Sequence, residues 1–184
     1  MTAPLILLDV DGVLNVIGDQ GLGWEVLCSG SAVAEGNRYP ITWAPDVIDQ
    51  LNAWLSDGVA IHWLTTWGPD ANTSLRLLLG LPELPVAATY DRDPRGTTEE
   101  LGLSHAATAP AAPDPLTGRW WKYDAVARHL LEDPDRLLIW VDDELQPGRV
   151  FRRWADAHPQ VHPIGPEPSL GLLAEDLAEI AALL

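Results

Sequence analysis

Three segments of the chain share one form, a near-continuous apolar run that ends abruptly in acids or hydroxyls. They are LILLDVDG (5–12), VAIHWLTTW (59–67) and LLIWVDDE (137–144). Runs of this length with no polar alternation predict strands buried on both faces, which is the signature of a parallel sheet. Helical periodicity fills the intervals. Pro45 opens a helix over about 45–57, with Val47, Ile48, Leu51 and Leu55 on one face and Gly58 at its stop. A second is predicted over about 69–80, from Pro69 to Gly80, a third over 121–132, and a fourth from about Pro147 to His158. The last stretch, 170–184, sets Leu173, Leu177, Ile180 and Leu184 on one stripe, a face for core packing.

Strands alternating with helices predict one α/β domain over 1–184, built as a three-layer Rossmann-like fold around a central parallel sheet. Two segments break the alternation. Residues 12–40 are Gly-rich and read as a flap-like insert, with a hairpin formed by WEVLC and a Ser-Gly-Ser turn. Residues 82–119 form a Pro-rich excursion, with a short strand expected at 85–89 and a turn of helix at 97–102. The excursion is too short and too rich in proline for a second domain, so no large cap domain is expected.

Composition narrows the chemistry. A formal net charge of −16 on 184 residues repels polyanions, so duplex nucleic acid and anionic membranes are poor partners. One cysteine, Cys28, excludes an internal disulfide, and the histidines have no zinc-ligand spacing. No signal peptide or membrane span is evident, which predicts a cytoplasmic protein. Of eleven basic residues only Lys122 is a lysine, a hint that its position needs a compact ammonium.

In open α/β sheets ligands bind beyond the carboxyl ends of the strands. There the three apolar runs deliver Asp9 and Asp11, then Thr65 and Thr66, then Asp142 and Asp143. Four carboxylates on one rim repel each other unless a cation lies between them, and an all-oxygen ligand set points to a hard ion, Mg²⁺. Each short motif is common by chance, but three strand ends in this order are not. Arg149, Arg152 and Arg153 share a helix face beside the acidic pair and read as a solvated face.

DVDGVLN (9–15), Thr65 at its strand end, Lys122 and VDDE (141–144) resemble, in order and spacing, the four motifs of the haloacid dehalogenase superfamily of phosphohydrolases. The runs WLTTWGPDAN, LLGLPELPV, WWKYDAV and LIWVDDEL are similar to the phosphatase-like domain of Swiss-army-knife RNA repair proteins. The resemblance implies a Mg²⁺-dependent phosphomonoester hydrolase working through an aspartyl-phosphate. Asp9 would be the nucleophile. Asp11 would be the general acid and base, touching Mg²⁺ through its backbone carbonyl. Thr65 and the backbone of Thr66 would bind the phosphoryl group, and Lys122 would neutralise its charge. Asp143 would ligate the metal directly, with Asp142 holding Lys122; the reverse division stays open. Trp67 and Trp120 or Trp121 lie beside these motifs, where their rings offer either a stacking wall for a base or further core packing. The substrate expected is a small phosphomonoester, specifically a mononucleotide. A nucleic-acid-end phosphatase and a non-catalytic Mg²⁺- or phosphate-binding module are the alternatives.

Overall fold

The computed structural model describes residues 2–18, 23–89 and 120–184. Four short strands form a parallel sheet: β1 (Leu5–Leu8), β4 (Ala60–Trp63), β5 (Leu138–Val141) and β6 (Val161–Ile164), in the order β4-β1-β5-β6. Every residue of β1 and β5 is buried, as their unbroken apolar runs require. Alternate side chains of each strand enter two different cores. Ile6, Leu8, Ile61, Trp63, Ile139 and Val141 pack with helix α1 (Pro45–Ser56) and helix α5 (Ala174–Ala181). Leu5, Leu7, Leu138 and Trp140 pack with α3 (Trp121–Glu132) and α4 (Val150–Asp156). The period of two in side-chain direction thus places helices on both faces of the sheet.

The strands stop early, at residues 8, 63 and 141, so the polar ends of the three runs lie beyond the sheet. β6 is an element the hydrophobic pattern did not announce. Its sequence VHPI is short and holds a proline, which an edge strand tolerates because Pro163 need not donate on its outer side. The predicted strand at 85–89 is reduced to one bridge, Val86 to Trp63. The expected turn of helix at 97–102 lies outside the described residues.

Two helices depart from their predicted bounds. The segment after Pro69 is π-helical over Ala71–Leu75, and only Arg76–Leu79 (α2) is α-helical before Gly80 closes it in the left-handed region. The helix predicted from Pro147 to His158 is shorter, Val150–Asp156.

The insert at 12–40 does contain a hairpin, but with different strands and a different turn. β2 (Cys28–Ala34) pairs antiparallel with β3 (Asn37–Trp43), and Ser29-Gly30-Ser31 lies inside β2. Gly30 is there because Leu78 packs against its backbone; a Cβ would lie 2.7 Å from Leu78 Cδ1. The turn is Glu35-Gly36, with φ of +50° and +75°, the two positive angles of a type I′ turn. The hairpin is fastened to the segment after β4 by two hydrogen bonds. Val33 N–H donates to Ser74 Oγ and Glu35 N–H to Asp70 Oδ2, each at 2.8 Å.

Candidate active site

The loops following β1, β4 and β5 meet at the carboxyl edge of the sheet, and helix α3 delivers one further side chain to the same place. Lys122, in the first turn of α3, is buried with its ammonium between two carboxylates. Its Nζ lies 2.5 Å from Asp9 Oδ2 and 2.7 Å from Asp142 Oδ2. The same nitrogen stands 4.8 Å from the centre of the Trp120 ring, a cation–π arrangement in a water-poor setting. Burial alone would lower the lysine's pKa, yet the charges and hydrogen bonds of Asp142 and Asp9 override it and raise the pKa above the ordinary value. Lys122 is therefore a permanent cation.

Asp142 has no exposed surface, and both its oxygens are used: Oδ2 accepts from Lys122 and Oδ1 from the Glu144 N–H at 3.1 Å. Burial pushes its carboxyl up, and the neighbouring Asp9 adds to the push, while Lys122 pulls it back. Asp143 differs. It is only half-buried, lacks the lysine contact, and its pKa is pushed up to about 6 by burial and by the charge of Asp9. Oxygens of Asp9, Asp142 and Asp143 lie within 4.8 Å of one another. Ionising all three carboxylates against one ammonium leaves two negative charges uncompensated in a small volume, which adds to the upward push of burial on Asp142 and Asp143 and is why a divalent hard cation suits the place. Asp142 is committed to Lys122 and to its own loop. Asp9 likewise has Oδ2 on Lys122 and Oδ1 accepting the Val10 N–H at 2.7 Å. Asp143 is thus the least committed carboxylate of the three, and Asp9 can offer a metal only an oxygen that already accepts.

The Asp11 carboxylate stands outside that group and turns the other way. Its Oδ1 accepts from Asn15 Nδ2 at 2.8 Å and its Oδ2 from Trp67 Nε1 at 3.0 Å. A metal role for Asp11 is thus confined to its backbone. Asn15 also accepts, through Oδ1, the Thr42 N–H at 2.9 Å, so it ties the acid's loop to the hairpin. Thr65 is fully buried, and its Oγ1 accepts weakly from the Trp67 N–H at 3.4 Å. Thr66 instead faces a cleft of about 130 Å³, lined by Asp11, Ala34, Glu35, Tyr39, Thr66 and Trp67.

The stacking wall needs correction. Trp120 is 2% exposed, stacked on Trp140 at 5.7 Å and tilted on Phe151 at 5.0 Å; it belongs to the core behind Lys122. Trp121 is buried likewise. Trp67 does border the cleft, but most of its ring is buried and its N–H is spent on Asp11. The exposed aromatic is Tyr39, 5.6 Å from Trp67 in an edge-on arrangement. Sequence reasoning missed Glu35 and Tyr39 because the hairpin register was misplaced, and it missed Asn15 although the quoted motif DVDGVLN contains it. The arginines after the acidic pair face solvent and local acids: Arg149 lies 3.4 Å from Glu144, and Arg152 lies 2.9 Å from Asp156.

Gly12 is required twice over. It sits at φ +73°, and a Cβ there would lie 2.8 Å from Asp143 Cγ. Gly12→Ala is therefore expected to push Asp143 out of the carboxylate group and to destabilise the fold by about 1–3 kcal/mol. Calorimetric Mg²⁺ titration of the folded variant should show affinity reduced by about tenfold or more; unchanged affinity would detach Asp143 from metal binding.

No family model matches the chain, and neither the curated proteins nor the solved structures contain a significant match.

Proposed function

We propose that this protein is a Mg²⁺-dependent phosphomonoesterase of the haloacid dehalogenase type, with the three-layer Rossmann-like architecture of that superfamily. One observation carries the reading. The single lysine of the chain bridges Asp9 and Asp142, with Asp143 alongside, at the carboxyl ends of two adjacent parallel strands. An arrangement of helix-capping or strand-ending acids has no need of a buried ammonium at its centre.

Mg²⁺ held by Asp9, Asp143 and the Asp11 backbone carbonyl would neutralise the phosphoryl oxygens and lessen their repulsion of the nucleophile. Asp9 attacks phosphorus through Oδ1, the oxygen that accepts the Val10 N–H and is not held by Lys122, giving an aspartyl-phosphate. Lys122 holds Asp9 in orientation through its hydrogen bond to Oδ2, and its charge meets the developing equatorial charge. Thr65 accepts from the Trp67 N–H and retains its own hydroxyl proton for a phosphoryl oxygen. Asp11, steadied by Asn15 and Trp67, gives a proton to the leaving oxygen and then takes one from the water that cleaves the acyl phosphate.

The test is hydrolysis of p-nitrophenyl phosphate by the purified protein, with and without Mg²⁺. Turnover that requires Mg²⁺ is expected; Mg²⁺ binding with no turnover of any phosphomonoester would replace this reading by a non-catalytic binding module. The metal should also act on stability in a pH-dependent way. The Asp143 carboxyl, with a pKa raised to about 6 from the ordinary 3.8, binds protons more readily folded than unfolded. The metal-free protein therefore loses stability as pH rises through about 6, where Asp143 becomes charged. Mg²⁺ binds that charged form, so the rise in Tm on adding Mg²⁺ is expected to be larger at pH 7.5 than at pH 5. An equal rise at both values would show that the ion binds elsewhere.

A further inference from the structure

On the phosphomonoesterase reading, on which this inference rests, a proton must reach the leaving oxygen as its bond to phosphorus breaks. The Asp11 carboxyl ends a side chain whose last bond turns readily, and a turned carboxyl aims its proton elsewhere. Here it is gripped at both oxygens. Asn15 Nδ2 donates to Oδ1 at 2.8 Å, and Trp67 Nε1 donates to Oδ2 at 3.0 Å. The two grips face different ways. Trp67 lines the cleft beside Asp11, whereas Asn15 is buried and takes no part in the cleft lining. Oδ2 is thus the oxygen next to the cleft, and Oδ1 is the one turned into the protein.

The orientation of the Asn15 amide follows from what its two ends meet. Its Oδ1 accepts the Thr42 N–H at 2.9 Å, and a backbone N–H only donates, so the end facing Asp11 is the NH₂. Among side chains of this size only asparagine offers an acceptor to one neighbour and a donor to the other. Shaping the loop does not require that amide. Asn15 closes the loop through its backbone, with its N–H on the Val10 carbonyl and its carbonyl on the Gly12 N–H, each at 2.8 Å. The next residue joins the hairpin in the same manner, Val16 N–H donating to the Thr42 carbonyl at 2.8 Å. What the amide adds to these backbone bonds is its grip on Asp11, referred to strand β3 of the hairpin.

We infer that Asn15 and Trp67 are positioning residues for proton transfer: Asn15 holds Asp11 Oδ1 inward, Trp67 fixes Oδ2 toward the cleft, and the proton passes between Oδ2 and the leaving oxygen there. In the first half-reaction Asp9 Oδ1 forms its bond to phosphorus and the bond to the leaving oxygen breaks. The electron pair left on that oxygen takes the proton from Asp11. In the second, water bonds to phosphorus, the bond to Asp9 Oδ1 breaks, and a proton of the water returns to Asp11. A carboxyl free to turn leaves Asp9, Lys122 and Asp143 as they are and weakens only these two proton transfers. The defect therefore depends on whether the leaving group needs a proton.

The test compares n-propyl phosphate, whose alkoxide leaves only with a proton, and 2,4-dinitrophenyl phosphate, whose phenolate leaves without one. Each is followed through a first turnover with enzyme in excess and Mg²⁺ present. Asn15→Ala is expected to slow release of propanol by about 10²-fold and release of dinitrophenolate by about threefold or less. Phosphorylated Asp9 should then accumulate in the variant, because the attacking water has lost its base. Trp67→Phe keeps a ring and removes the indole N–H, with the Asn15 amide in place; the same selectivity is expected of it, and it decides the matter if Asn15→Ala does not fold. A purely structural role slows both substrates alike. That outcome in a folded variant, or no slowing of either, would overturn the positioning role while leaving the phosphatase in place. No hydrolysis of either substrate by the wild type would overturn both.

Discussion

Asp9→Asn protein is expected to fold normally and to lose turnover by about 10⁴-fold or more, since an amide oxygen cannot accept and release a phosphoryl group. The substitution is nearly isosteric, and the Asn carbonyl can still accept from Lys122, so the ammonium keeps two partners. Its effect on stability has a definite sign. In the wild type the Asp9 charge helps to push the Asp142 and Asp143 carboxyls up. Removing that charge relieves the repulsion, so the metal-free variant should melt higher than wild type at pH 7.5. The advantage should vanish near pH 5, where Asp143 is protonated in both proteins. Steady-state kinetics and thermal unfolding in a chelator check the two halves separately. Wild-type activity in the pure variant would remove Asp9 from the chemistry.

The hydrophobic pattern made the sheet legible and left the flap obscure, for a physical reason. β1 and β5 are buried on both faces, as their unbroken apolar runs predict. β4, at the sheet edge, buries Ile61 and Trp63 and leaves Ala60 and His62 half-buried. The polar ends of all three runs mark where the sheet stops. Asp9, Asp142, Asp143 and Lys122 meet because those ends and the start of α3 meet. β2 and β3 contain no such signal. Ser29, Gly30 and Ser31 look like a turn, but their pairing with Thr42, Ile41 and Pro40 makes them strand, and Leu78 fills the space that a Cβ at Gly30 would take. The real turn, Glu35-Gly36, depends on an energetically poor residue in a left-handed conformation, which local preference argues against. The misplaced register concealed Tyr39 and Glu35. Trp120 misled in another way. Adjacency to Lys122 along a helix says nothing about which way the ring points, and the ring points into the core with Trp140 and Phe151.

Lys122 should prove the least replaceable residue after Asp9, for both fold and chemistry. Lys122→Ala leaves Asp9 and Asp142 facing each other in a buried space with no counter-charge, and breaking a buried pair in this way costs about 3–5 kcal/mol. That penalty is electrostatic, so it should shrink as pH falls from 7.5 toward 4.5 and the unpaired carboxyls take up protons. Urea unfolding at the two pH values measures it; a penalty independent of pH would assign the lysine a packing role only. Lys122→Arg separates charge from shape. The guanidinium keeps the charge but is planar and longer, and the ammonium it replaces is enclosed by two carboxylates and the Trp120 ring. It must either displace Asp142, which is held by the Glu144 N–H, or press Asp9 away from its line of attack. A loss in kcat of about 10²-fold is therefore expected, with far less loss of stability than in Lys122→Ala. The chain uses arginine at every other basic position, so an arginine here that worked within a few-fold of wild type would show that only the charge matters. The compactness of the ammonium, bridging nucleophile and neighbour at 2.5 and 2.7 Å, would then play no part in the chemistry.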